Sequence, residues 1–111
     1  MAFGLLISLS ASANAHGDHY GRGETLYQAH CAPCHGIDGD GNGPAGKGLN
    51  PSPANLLDAM QQNIISDEYL MWTIREGGRN VHTDMPSFED NGEIDQNDAK
   101  EIIKYLRHAF E

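Results

Sequence analysis

Five consecutive residues, Cys31-Ala32-Pro33-Cys34-His35, hold both cysteines of the chain and end in a histidine. On a helical turn, positions i, i+3 and i+4 share one face, so two sulfurs and an imidazole are offered together to a single flat cofactor. The C-x-x-C-H spacing reads as attachment of a c-type haem. The two thiols can add to the vinyl groups on one edge of a porphyrin, and the imidazole Nε2 can reach the iron from below. Three other chemistries fit less well. A thioredoxin-like dithiol needs a βαβ framework, and no alternating strand run is present. A zinc site wants four ligands, and no second Cys/His pair has matching spacing. A plain structural disulfide leaves His35 and the long loop behind it without a role.

The elements that must position this motif read as helices. From Tyr20 to about Ala32, the residues Gly23, Leu26, Tyr27, His30 and Cys31 recur at intervals of three and four, which is one stripe of a helix. Pro33 should stop or kink it. The stretch from Gly36 to Pro53 has almost no large apolar residue and six glycines between Gly36 and Gly48. A loop this long in a small domain needs something to wrap around. Ala54 to Gln62 reads as a short helix with Leu56, Leu57 and Met60 on one side. Ser66 suits the N-cap of a third helix, with Asp67 and Glu68 in its first turn and Gly77-Gly78 as its stop. Its inward positions are expected to be Tyr69, Leu70, Trp72 and Ile74. Asp95 or Asn97 caps a final helix running to about Phe110, with Ile102, Ile103, Tyr105, Leu106 and Phe110 as a broad apolar face. The fold class is therefore all-α, with four helices.

At 111 residues the chain is one domain, near the lower end of what a single core can support. Sixteen acids against seven bases give a net charge of −9, which disfavours nucleic acid and anionic membrane and suits a partner with a basic docking patch. Residues 1–15 carry no charged side chain, an apolar run from Ala2 to Leu9, and the small-x-small ending Ala13-Asn14-Ala15. They read as an export signal cleaved after Ala15, with residues 16–111 as the mature domain in the periplasm.

Around the motif the chain resembles the small bacterial class I mono-haem cytochromes c over roughly residues 20–110. Members carry a glycine and an aromatic ahead of the motif, matched here by Gly23 and Tyr27. They also carry an aliphatic and an aromatic on the last helix, matched by Ile102 and Tyr105, and the two helices cross closely at the glycine. A distal methionine followed by proline is matched by Met85-Pro86. The resemblance implies a cytochrome c fold, four short helices around one covalently bound haem c, with Cys31 and Cys34 as thioether anchors and His35 and Met85 as axial ligands to iron. It further implies that the 36–53 loop wraps the proximal side, with the Pro44 carbonyl accepting the Nδ1 hydrogen of His35. Pro51 and Pro53 are alternatives for that acceptor.

The residues add their own argument for Met85. Met1 belongs to the export signal, and Met60 and Met71 sit on amphipathic stripes where packing explains them. Met85 lies in the polar stretch Asn80-Val81-His82-Thr83-Asp84-Met85-Pro86, where nothing else accounts for a thioether. His82 is the rival ligand. Trp72, Arg75 and Arg79 are candidates to meet haem propionates. His16 and His19 could chelate a metal adventitiously. Asp38-Gly39-Asp40-Gly41-Asn42-Gly43 copies the start of a calcium loop, but its twelfth position is Leu49 and Pro51 and Pro53 preclude an exit helix, so calcium is not expected. Six-coordinate iron implies an electron carrier exchanging single electrons with redox protein partners, without a small-molecule substrate, and the chain is expected to be a monomer. An open-site haem protein, peroxidase-like or gas-sensing, and a haem subunit of a larger oxidoreductase are the alternatives.

Overall fold

Side-chain caps at Asn55, Ser66, Ser87 and Asp95 decide where four of the helices begin. A computed structural model describes residues 20–111, and among these there are six α-helices, one 3-10 turn and no strand. The order is α1 (Gly21–His30), α2 (Ala32–His35), the 3-10 turn Pro44–Gly46, α3 (Leu56–Ala59), α4 (Asp67–Glu76), α5 (Phe88–Asn91) and α6 (Gln96–Phe110). Ser66 accepts a hydrogen bond from the Tyr69 amide at 3.0 Å and so starts α4. Asp95 opens α6 in a capping box: its carboxylate accepts from the Asp98 amide at 2.7 Å while the Asp98 carboxylate accepts from the Asp95 amide at 3.4 Å. Gly77, at φ +55, ends α4.

The all-α expectation holds, with two helices more than expected. The first helix breaks at Cys31, and Pro33 falls in the first turn of the separate helix α2, where its missing N–H leaves no bond unmade. Helix α5 is a single turn, too short to show periodicity, and is started by Ser87 accepting from the Asp90 amide at 3.2 Å. The proposed export signal, His16 and His19 lie outside the described residues. No helix among those described is long and apolar enough to cross a membrane.

Helices α1 and α6 form the frame. A Cβ on Gly23 would overlap the Glu101 carbonyl oxygen and stand 3.0 Å from the Tyr105 Cβ, so only glycine lets the two backbones approach this closely. Below the crossing, fully buried Tyr27 packs against Tyr105 and Phe110, with ring centroids 5.5 and 5.4 Å away. Ala99, Ile102, Ile103 and Leu106 complete the buried face of α6, and α4 adds Leu70 and Ile74. Tyr69 and Trp72, by contrast, are exposed and pack on each other at 6.1 Å. They sit three apart on a face of α4 turned away from Leu70 and Ile74, so only part of the inward stripe expected for this helix is buried.

Candidate functional site

Cys31 stands at the junction of α1 and α2, and the helical turn continues through the motif. The His35 amide donates to the Cys31 carbonyl at 2.8 Å and the Cys34 amide to the same carbonyl at 3.1 Å. Cys31, Cys34 and His35 therefore share one turn, as their spacing requires. Both thiols are free and half-buried. Burial, helped by Cys34, pushes the Cys31 thiol up to about 12. A dithiol oxidoreductase depends on a readily formed thiolate, so this environment opposes that reading.

His35 donates from Nδ1 to the Ala54 carbonyl at 3.0 Å. The acceptor is thus Ala54 and not Pro44, nor Pro51 or Pro53. Long-range closure of the loop accounts for the difference. The Leu56 amide donates to the Gly39 carbonyl at 2.6 Å, and Gly46 packs so tightly against Pro53 and the Cys34 carbonyl that a Cβ there would stand 2.6 and 2.9 Å from them. These contacts bring residue 54 beneath the ring, whereas Pro44 opens the exposed end of the 3-10 turn. With Nδ1 engaged, Nε2 carries the lone pair, and burial lowers the ring's pKa against the opposing effect of the Ala54 bond, favouring neutral imidazole.

The glycine-rich run shapes this loop instead of gathering carboxylates. Asp40 accepts from the Asn42 amide at 3.0 Å, Gly39 and Gly41 adopt φ of +74 and +86, and a Cβ on Gly39 would stand 2.9 Å from the Phe110 ring. The Gly41 and Gly43 amides donate to the His35 and Cys34 carbonyls at 2.7 and 3.0 Å, binding the loop to the motif. Among the described residues no group of three or more His, Cys, Asp or Glu side chains could hold a metal ion.

Met85 is half-buried and packs, like Cys31, against the common core. Its carbonyl accepts from the Gly78 amide at 2.9 Å, and its amide donates to the Thr83 hydroxyl at 3.4 Å. A Cβ on Gly77 would stand 2.7 Å from the Met85 carbonyl oxygen, so the Gly77-Gly78 pair both stops α4 and seats the methionine loop. His82 is exposed, at φ 58. Met60 is buried, and its sulfur lies 3.9 Å from the Arg107 Nη1, among packing side chains. Arg75 pairs with Glu89, and Arg79 pairs with Asp90 at 2.6 Å and Glu89 at 3.3 Å, so both guanidinium groups expected near propionates are held by carboxylates of α5. The parts that Ala54, Gly78 and Thr83 play at the site escaped the sequence reading. Only Gly77-Gly78 carried a visible signal, and it was legible as a helix stop.

Two unpaired thiols on one turn, an imidazole oriented through Nδ1 and a thioether on a loop tied to the same core are a donor set suited to a covalently anchored haem. An all-α frame with such a site defines a small mono-haem class I cytochrome c. Residues 18–106 match the family model described as cytochrome C oxidase, cbb3-type, subunit III, and the chain belongs to that family. It is a cytochrome c domain that carries covalently bound haem c with its iron, transfers electrons and has redox proteins as partners. No curated protein matches the chain.

Proposed function

We propose that this protein is a soluble periplasmic carrier of single electrons, with haem c attached through Cys31 and Cys34 and its iron held by His35 and Met85. The group supplies a one-electron ferric/ferrous couple. Cys31 and Cys34 anchor it at the end of α1, so a domain with a small core need not hold it by fit alone. His35 presents Nε2 with its ring fixed by Ala54, and that bond raises the basicity of the nitrogen toward the metal. Met85, on the loop tied to Gly78, would supply the second ligand, and a thioether there would favour the ferrous state and leave no place for a substrate. The observation that carries the reading is the Nδ1 bond of His35 to Ala54 beside two free thiols on the same turn.

The charge of −9 supports docking on a basic patch through a small transient interface. The apolar run ending in Ala13-Asn14-Ala15 supports export. Met85→Ala tests the ligand assignment. It should abolish the weak near-infrared sulfur-to-iron band of the oxidised protein and let the reduced protein bind carbon monoxide, while Met60→Leu and Met71→Leu keep the band. A band that survives in Met85→Ala refutes the assignment, and its absence from wild type that binds no carbon monoxide makes His82 the ligand. The family description, which names an oxidase subunit, favours a second reading in which the protein is a haem subunit of a larger assembly. Co-purification of native protein with a larger oxidoreductase at fixed stoichiometry would establish that reading over the free carrier.

A further inference from the structure

Two loops flank the proposed ligands. One runs from Gly36 to Asn55 and carries Ala54, which orients His35. The other runs from Gly78 to Pro86 and carries Met85. The bonds that shape the second loop, from the Gly78 amide to the Met85 carbonyl and from the His82 amide to the Gly78 carbonyl, all pivot on the glycine pair that ends α4. The loop is closed at its neck, where Gly78 meets Met85 and the Ser87 hydroxyl donates to the Arg75 carbonyl at 2.9 Å, so it can swing as a unit with its internal bonds travelling with it.

Across the gap, the Asn50 amide donates to the Asp84 Oδ2 at 2.8 Å, and the Asp84 amide donates to the Asn50 carbonyl at 3.2 Å. Among the described residues this reciprocal pair is the polar tie between the two loops. It sits one residue from Met85 and four from Ala54. We propose that Asp84 is a positioning residue, latching the methionine loop to the loop that orients His35 and so setting how often Met85 leaves its ligating station. The inference rests on Met85 as ligand and goes beyond it by naming what holds it there.

Opening of the loop is measured by imidazole, which competes for the position Met85 vacates. The apparent affinity for a competitor scales with the open fraction. Asp84→Ala removes the carboxylate half of the latch, a charge-assisted bond at an exposed site, while the backbone half does not depend on the side chain, so the imidazole affinity of the oxidised holoprotein should rise by about tenfold. Asp84→Asn keeps an acceptor oxygen and should stay within about twofold of wild type. Gly23→Ala, whose added methyl meets the Glu101 carbonyl and Tyr105 of α6, should lower the melting temperature without changing imidazole affinity. In wild type, hydrogen exchange at the Asn50 amide should accelerate when imidazole binds, a readout that needs no variant to mature. Unchanged affinity in Asp84→Ala, equal shifts in Asp84→Ala and Asp84→Asn, or an Asn50 amide indifferent to imidazole would each overturn the latch. A wild-type protein lacking the near-infrared band would instead remove the Met85 reading, and the latch with it.

Discussion

Replacing Gly23 by alanine introduces one methyl group at the crossing on which the frame depends. That methyl would overlap the Glu101 carbonyl oxygen, lie 2.8 Å from its carbon and 3.0 Å from the Tyr105 Cβ. Ordinary contact begins near 3.4 Å, so α1 and α6 must part by more than about 1 Å at the Glu101 carbonyl. The obstructing group is helical backbone, which cannot rotate aside as a side chain would. Overpacking of this kind costs about 1–3 kcal/mol, and a backbone obstacle places the cost at the upper end. Alanine recovers about 0.5–1 kcal/mol of helix propensity, leaving a net loss of about 2 kcal/mol. For a domain of this size that is a fall of roughly 8–16 °C in melting temperature, read by circular dichroism on the holoprotein. Gly21 in the same helix has nothing within 4 Å of a built Cβ, and Gly21→Ala should change stability by less than about 0.5 kcal/mol. If Gly23→Ala melts within 2–3 °C of wild type, roughly the scatter of a neutral surface change, the close crossing is not what holds α1 to α6.

Tyr27→Phe removes the 2.6 Å hydrogen bond from the buried hydroxyl to the Gly36 carbonyl. That carbonyl keeps the Gly39 amide at 3.1 Å, so the denaturant midpoint should fall by the equivalent of about 1 kcal/mol. Asp98 is held below the usual carboxylate range, first by its hydrogen bond from Arg22 across the α1–α6 interface. A depressed folded pKa stabilises only while the group is ionised. The stability advantage of wild type over Asp98→Asn should therefore be complete above roughly pH 5, begin to fall near about pH 4, the unfolded value, and be lost only as pH drops through the lower folded pKa, which a series of urea titrations would follow. Association with a redox partner bearing a basic patch should slow as salt is added, and a stopped-flow rate that rises with ionic strength would show that the acidic surface is not the docking face.

Where a signal is local, the sequence carried it. Ser66 and Asp95 announce their helices through capping chemistry that spans three residues, and the Cys31–His35 spacing needs a single turn to become a face. Gly23, Tyr27 and Tyr105 lay on legible helix stripes, but that the two helices cross closely at the glycine was implied by the resemblance to class I cytochromes c, and the contacts at Gly23 bear it out. The His35 acceptor was not legible. Which carbonyl lies under the ring depends on how the loop closes, through Gly39 with Leu56 and Gly46 with Pro53, and no local pattern encodes that closure. Arg75 and Arg79 turned to carboxylates because α5, one turn long and hidden from periodicity, places Glu89 and Asp90 beside them. The Ser87 cap and Gly92 at φ +75 were the available clues to that helix.

The central claim is that Cys31 and Cys34 hold haem by covalent bonds at a site His35 completes. Acid-acetone extraction of protein matured with haem, followed by mass determination of the polypeptide and of its Cys31-to-His35 peptide, tests it directly. One haem should remain on the peptide, and Cys31→Ser or Cys34→Ser should retain it through one sulfur with a much lower yield of mature protein. Free haem in the organic phase, with both thiols of the wild-type peptide unmodified, would contradict the account.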